Sequence, residues 1–249
     1  MVDYDSLLEL FHNRRSIRRY QSKPIPDEYV DKIIEAARLA PSGFNSQPWE
    51  FVIIKKKALK DEIVKLVNNY RTSQYPIMEK RRESWQKDRF SIRRGGAQDW
   101  SNAPVFILVL GDKRAKAGLP MTVRFHEKKC QSIFTSSLAN AFLYMLLAAT
   151  TLGLASQWVS AVKVPFVQAS IRELIGIPLE LEIYDMMATG YGASKARPKF
   201  LRSQEEMTHY DDCGEEDFRT DEEVREHIRR TRAWAIATLS REAEEDMKV

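Results

Sequence analysis

At 249 residues, with 43% apolar and 30% charged side chains, the chain has the composition of a globular protein with room for one large core or two modest ones, which excludes a disordered tail. The 39 basic against 35 acidic residues leave a net charge of +4, too slight for a general coat of nucleic acid or anionic membrane. Cys130 and Cys213 have no close-spaced partner and no Cys/His ligand pattern, which argues against a disulfide scaffold or a structural zinc site and fits a reducing, cytoplasmic compartment.

The N-terminus MVDYDSLLEL lacks the apolar run of a signal peptide. Leu7, Leu8 and Phe11 fall at helical spacing behind Asp5 and Ser6, which are capping candidates. That helix delivers FHNRRSIRRY, in which four arginines and Ser16 occupy positions 14 to 19. In an extended backbone Arg14, Ser16 and Arg18 project to one side and Arg15 and Arg19 to the other, so one face suits phosphate or carboxylate. A helix C-terminus carrying cations against its macrodipole explains the same residues. After Lys23-Pro24-Ile25-Pro26, Asp27 caps a second helix with Val30, Ile33, Ile34, Ala37 and Leu39 as its apolar stripe.

The loop PSGFNSQPW, residues 41 to 49, places Ser42, Asn45 and Gln47 between two prolines. A buried strand, Phe51 to Ile54, and a helix from about Ala58 to Asn69 follow. Residues 70–102 mix charges with aromatics and read as an insertion, either a solvated helical excursion or a lid over a ligand. PVFILVL, 104 to 110, is a continuous apolar run and predicts a central strand. From about Glu127 to Leu152 a helix apolar nearly all round is expected, buried on every side either at the centre of the core or in a subunit interface, with Gly153 at its C′ position; its apolar part falls short of a membrane span. Residues 155–162 read as strand or loop, Pro165 opens a helix to Ile175 that Gly176 stops, and Glu182 to Thr189 is a further strand. Thr220 and Glu223 make a capping box at the start of a charged terminal helix with a narrow apolar stripe, which either frays in solvent or lies across another chain as an arm.

Ten glycines include no G-x-G-x-x-G and no Walker A pattern, no serine sits in a G-x-S-x-G elbow, and His126-Glu127 lacks a second histidine four residues on. Nucleotide-fold, hydrolase and metalloprotease chemistries therefore have no carrier, and no metal ligands are assigned. What remains is the pair of segments 14–18 and 41–49.

Those two segments, with the intervening helix, APSGFNSQPWEFVII and NAPVFILVL, resemble the nitroreductase family of FMN-dependent oxidoreductases in order and interval. The resemblance covers roughly residues 4–211 and implies an α+β fold: a central, mostly antiparallel sheet flanked by helices, in an intertwined homodimer with FMN at the subunit interface. It implies one nitroreductase-like domain over 1–211, with 70–102 as a lid-like insertion and 212–249 as a helical extension. It places Arg14 at the FMN phosphate, Arg15 and Ser16 at the phosphate or ribityl chain, and Arg18 at the N1/O2 edge. There a fixed cation favours the reduced flavin. Pro41, Ser42 and Asn45 would meet the same flavin, from the other subunit. In QWVSAV, Ser160 would face N5, and Lys199 or Arg202 would supply the basic residue that relatives carry near the C-terminus.

The activity so implied is hydride transfer from NADH or NADPH through flavin N5 to a small-molecule acceptor such as a nitroaromatic or quinone, with no nucleic acid or membrane partner. A second enzyme reading is a dehalogenating or flavin-fragmenting member of the superfamily, with Tyr75, Glu79 and Lys80 gripping a zwitterionic or phenolic substrate. A non-enzymatic anion or nucleic-acid binding module on Arg14–Arg19 and Arg93–Arg94 is the alternative from another class.

Overall fold

The computed structural model describes residues 3–73, 99–194, 199–231 and 233. It divides into two compact units, one of residues 1–71 and 96–196 and the other of 72–95 and 197–249.

In the first unit, α1 (Tyr4–Asn13) begins at Asp3, whose carboxylate accepts from the Ser6 amide at 2.8 Å. The cap is Asp3, not Asp5 or Ser6, because Ser6 serves as the donor at the position that the cap must reach. α2 (Asp27–Arg38) starts after Pro26, which fixes φ at −60° and leaves Asp27 as the first helical residue. Val30, Ile33 and Ala37 are buried, whereas Leu39, expected on the stripe, lies past the helix and is 64% exposed.

Four antiparallel strands form one sheet in the order β1-β2-β4-β3: β1 (Trp49–Ile54), β2 (Val105–Asp112), β3 (Ala155–Val159) and β4 (Leu181–Gly190). β2 is central, as its apolar run predicts, and its alternation serves both faces. Val105, Ile107 and Val109 join α2 and the long helix α4 (Glu127–Thr151), while Phe106, Leu108 and Leu110 join α3 (Lys57–Ser73) and α5 (Pro165–Ile175). β1 is an edge strand with a half-buried interior, less enclosed than its apolar run suggests.

β2 and β4 slip register at Val109/Leu110: Val109 opposes Asp185 and Leu110 opposes Ile183, so Tyr184 is the extra residue of a bulge. The bulge turns both Tyr184 and Asp185 away from Ile183, and with them a carboxylate enters the sheet interior.

α5 runs from Pro165 to Ile175 and ends at Gly176 in the left-handed conformation, φ +69°, as the sequence predicts. Gly153, φ +70°, ends α4 in the same way. At 25 residues α4 is long and apolar enough to cross a membrane by length and composition, contrary to the expectation from its apolar segment. It is nevertheless a core helix packed on the sheet, with Phe134, Leu138, Phe142 and Met145 buried. Among the described residues it is not covered all round: Leu143 is 44% and Tyr144 37% exposed.

In the second unit the capping box forms. The Thr220 amide donates to Glu223 at 2.7 Å and the Glu223 amide to the Thr220 hydroxyl at 3.3 Å, opening helix α6 over 221–231.

Candidate functional site

The arginine segment leaves helical geometry at Arg14, where ψ is 114°, and runs extended along the sheet. Ser16 bridges Ser156 of β3, the Ile17 amide donates to Ser156 O at 3.0 Å, and Gln21 donates to Tyr191 O at 2.9 Å. The buried Tyr20 hydroxyl lies 2.8 Å from Ile17 O and 2.9 Å from Ala188 O, and pins the segment. The extended reading therefore holds from Ser16 onward, while Arg14 is the C-cap of α1, so the helix-end reading holds for that residue alone. Arg14 and Arg15 are half-buried, while Ser16 and Arg18 are exposed. Burial, and then the Arg14 charge beside it, lowers the Arg15 pKa. The Arg15 guanidinium is therefore destabilised where it sits, and an anion beside it would relieve that.

The loop after α2 is fixed to α4 instead. The Gly43 amide donates to the Ser137 hydroxyl at 3.1 Å, and Asn140 donates to Pro41 O at 3.0 Å. Ser42 accepts from the Gln47 amide at 3.0 Å and keeps its own proton free to donate outward. Phe44, Asn45 and Gln47 all have positive φ, between 41° and 55°. Three non-glycine residues in the left-handed region within four positions cost on the order of 1–3 kcal/mol each, and such strain clusters at ligand clamps. We expect Ser137→Ala, which removes the acceptor of the Gly43 amide, to cost about 1 kcal/mol and to accelerate hydrogen exchange at Gly43. Unchanged exchange would show that Ser137 does not hold the loop.

Ser160 is the exposed first residue of a 3-10 turn, Ser160–Lys163, that closes β3. It borders a cavity of about 150 Å³ with Val67 and Arg71 of α3, Trp100, Gln157 and Ala161. Gln157 is only 8% exposed, and its Oε1 has no hydrogen-bond partner, so the cavity wall holds a buried acceptor in need of a donor. β3 runs from Ser156, beside Ser16, three residues and about 10 Å to Val159, and Ser160 follows at the start of the turn. β3 thus runs from the cationic segment to the cavity.

On the other face of β3, Trp158 stacks on Phe142 with centroids 4.0 Å apart, and Lys163 Nζ lies 4.9 Å from the Tyr184 ring. Asp185 is 5% exposed, with Oδ1 unpartnered. Burial pushes its pKa up to about 6, against the pull of Trp158 and Lys163.

The hydrogen bonds that fix Arg14–Arg19 and those that fix Pro41–Gln47 go to different elements, the sheet and α4. Lys199 and Arg202 belong to the second unit, where Arg202 pairs with Glu206 through both its carbonyl and its carboxylate. Tyr75, Glu79, Lys80, Arg93 and Arg94 lie outside the described residues. Sequence reasoning missed Arg71 and Gln157. An arginine in the last turn of a helix and a glutamine in a strand carry no signal until α3 and β3 meet.

Residues 12–191 match the nitroreductase family. A protein of Archaeoglobus fulgidus, provisionally named NADH dehydrogenase/NAD(P)H nitroreductase, is 27% identical over 187 residues, 75% of this chain and 86% of that one. The iodotyrosine deiodinase of Thermotoga neapolitana is 27% identical over 202 residues, 80% of this chain and 94% of its own. Among solved structures, oxidised iodotyrosine deiodinase bound to FMN and 3-iodo-L-tyrosine superimposes with a TM-score of 0.64 at 23% identity. That superposition covers 83% of this chain and all of the other, and at this identity the likeness is one of fold.

Proposed function

The chain belongs to the nitroreductase family, and on that basis we propose that it is an FMN-dependent oxidoreductase that takes hydride from NADH or NADPH and reduces an organic acceptor such as a nitroaromatic or quinone. The observation that carries this reading is that an extended, doubly cationic segment bridges β3 while a polar-walled cavity borders the end of the same strand. Bound FMN would supply the two-electron chemistry; the chain's own residues bind, orient and tune.

Arg14, with Arg15 and Ser16, holds the phosphate, because the guanidinium fork matches its oxygens and the anion offsets two neighbouring cations. Arg18 and Arg71 offer positive charge to the ring edge on which reduction builds negative charge. Ser160, with the unpartnered Gln157 Oε1 on the same cavity wall, offers hydrogen bonds to a heteroaromatic ring.

The loop of Pro41, Ser42 and Asn45 completes the site from a second copy of the chain in this proposal. An exposed apolar surface supports that pairing. α1 buries none of its residues, Tyr4, Leu7 and Leu8 are 38% to 73% exposed, and so is Phe44, at 59%, within the strained loop.

The named relative in Thermotoga neapolitana favours a second reading, reductive dehalogenation of a phenolic substrate, with Tyr75, Glu79 and Lys80 as its grip. Purified protein is expected to be yellow, and to bleach when NADH or NADPH is added without oxygen. A panel of nitroaromatics, quinones and halophenols then divides the two readings by which one restores the colour. A colourless protein that stays so after incubation with FMN, and binds oligonucleotide with a steep salt dependence, would replace both with an anion-binding module.

A further inference from the structure

We propose that His209, Cys213 and Asp217 bind a zinc-class divalent cation. The three side chains are spaced four residues apart on a segment without α-helix, yet an imidazole nitrogen, the thiol sulfur and a carboxylate oxygen lie within 4.8 Å of one another. The backbone brings them together. Asp211 turns the chain at φ +69°, and the 3-10 turn Glu215–Asp217 folds it back on His209.

Asp217 is already oriented for the task. Its Oδ2 accepts from the Gly214 amide at 2.8 Å, which leaves Oδ1 facing His209 Nδ1 at 3.9 Å. That distance is too long for a hydrogen bond. It is close to the spacing of about 3.3–3.6 Å between donors on a tetrahedral zinc ion with bonds of about 2.0–2.3 Å. Small side-chain rotations would close the set.

The chemistry of the donors selects the ion. A thiolate and an imidazole favour zinc over magnesium or calcium, which prefer all-oxygen shells. Thiolate and carboxylate cancel the two positive charges while imidazole stays neutral, so the bound ion leaves no net charge at the site. Asp211, Asp212, Glu215 and Glu216 around it raise the local cation concentration without being ligands. The pattern escapes a sequence search because zinc sites are sought as close pairs of cysteine and histidine, whereas here an aspartate supplies the third donor.

The test uses the full-length protein, freed of metal by chelation and titrated with Zn2+, with a thiol-reactive disulfide as reporter. Cys130 is 7% exposed and Cys213 exposed, so the fast-reacting thiol is Cys213. We expect one Zn2+ per chain, proton release on binding, and slowing of the Cys213 reaction by about tenfold or more, with no effect of Mg2+. His209→Ala and Asp217→Asn should each weaken binding by at least about tenfold, and Cys213→Ser should abolish it, with FMN content unchanged in all three. Thiol reactivity indifferent to saturating Zn2+, or stoichiometric Zn2+ uptake that survives Cys213→Ser, would overturn the proposal.

Discussion

Replacing Arg14 by alanine is expected to raise the dissociation constant for FMN by about 10- to 100-fold, the loss of one charge-assisted phosphate contact of about 1.5–3 kcal/mol. Folding should be little affected. The Arg14 contribution to α1 is its backbone amide, which donates to Leu10 O at 2.9 Å and is retained by alanine. Its side chain adds repulsion to Arg15, whose pKa burial and Arg14 both depress. Removing the side chain relieves the empty protein and weakens the complex. Arg14→Lys should recover part of the loss, since lysine restores the charge but not the fork. Fluorescence titration of flavin-stripped protein measures the effect, and wild-type affinity in Arg14→Ala would remove this residue from the site.

The second large effect is expected at Asp185. Its carboxyl has a pKa of about 6 in the folded chain against an ordinary value of 3.8, chiefly because burial disfavours the charge. The raised value fixes the sign. Between these two pH values the unfolded chain releases this proton while the native state holds it, so stability is lost as pH rises. The penalty is absent in acid and complete above about pH 7. Asp185→Asn removes the titration and keeps an acceptor for Trp158, so it should stabilise the protein by about 1–3 kcal/mol at neutral pH and by almost nothing near pH 4. Asp3, Glu28, Glu35, Asp112 and Glu223 have lowered pKa values and lose stability in the opposite direction, as pH falls. They are common to both proteins and cancel in the difference. Urea unfolding of the pair across that range checks the prediction, and a difference independent of pH would refute it.

Local chemistry made part of this molecule readable in the sequence. Pro165 and Gly176 bracket α5 because one presets φ and the other alone takes +69° without strain, and both act within their own turn. The apolar run at 104 to 110 marks the central strand because a strand covered on both faces has no polar positions. The arginine segment was legible as a candidate anion site, but composition could not decide between an extended chain and a helix end. The bridge to Ser156 decides it.

What was not legible depends on partners far along the chain. β1 begins at Trp49 rather than Phe51 because β2 extends to pair with it there. The exposed face of α4 follows from which side the sheet occupies, and not from the helix's own pattern. Arg71 and Gln157 come together only when α3 and β3 do. Asp185 enters the interior through a bulge that no residue type announces. The three left-handed residues of the loop were equally hidden, since only asparagine among them tolerates that conformation readily.

The central claim is that the arginine segment is a phosphate site for a flavin mononucleotide. It is tested most directly by comparing FMN with riboflavin, which shares the ring and lacks the phosphate, as ligands of the stripped wild-type protein and of Arg14→Ala. Wild type should prefer FMN by about 100-fold or more, and Arg14→Ala should narrow that ratio by about tenfold while leaving riboflavin affinity unchanged. Equal affinity of wild type for the two flavins would contradict the account.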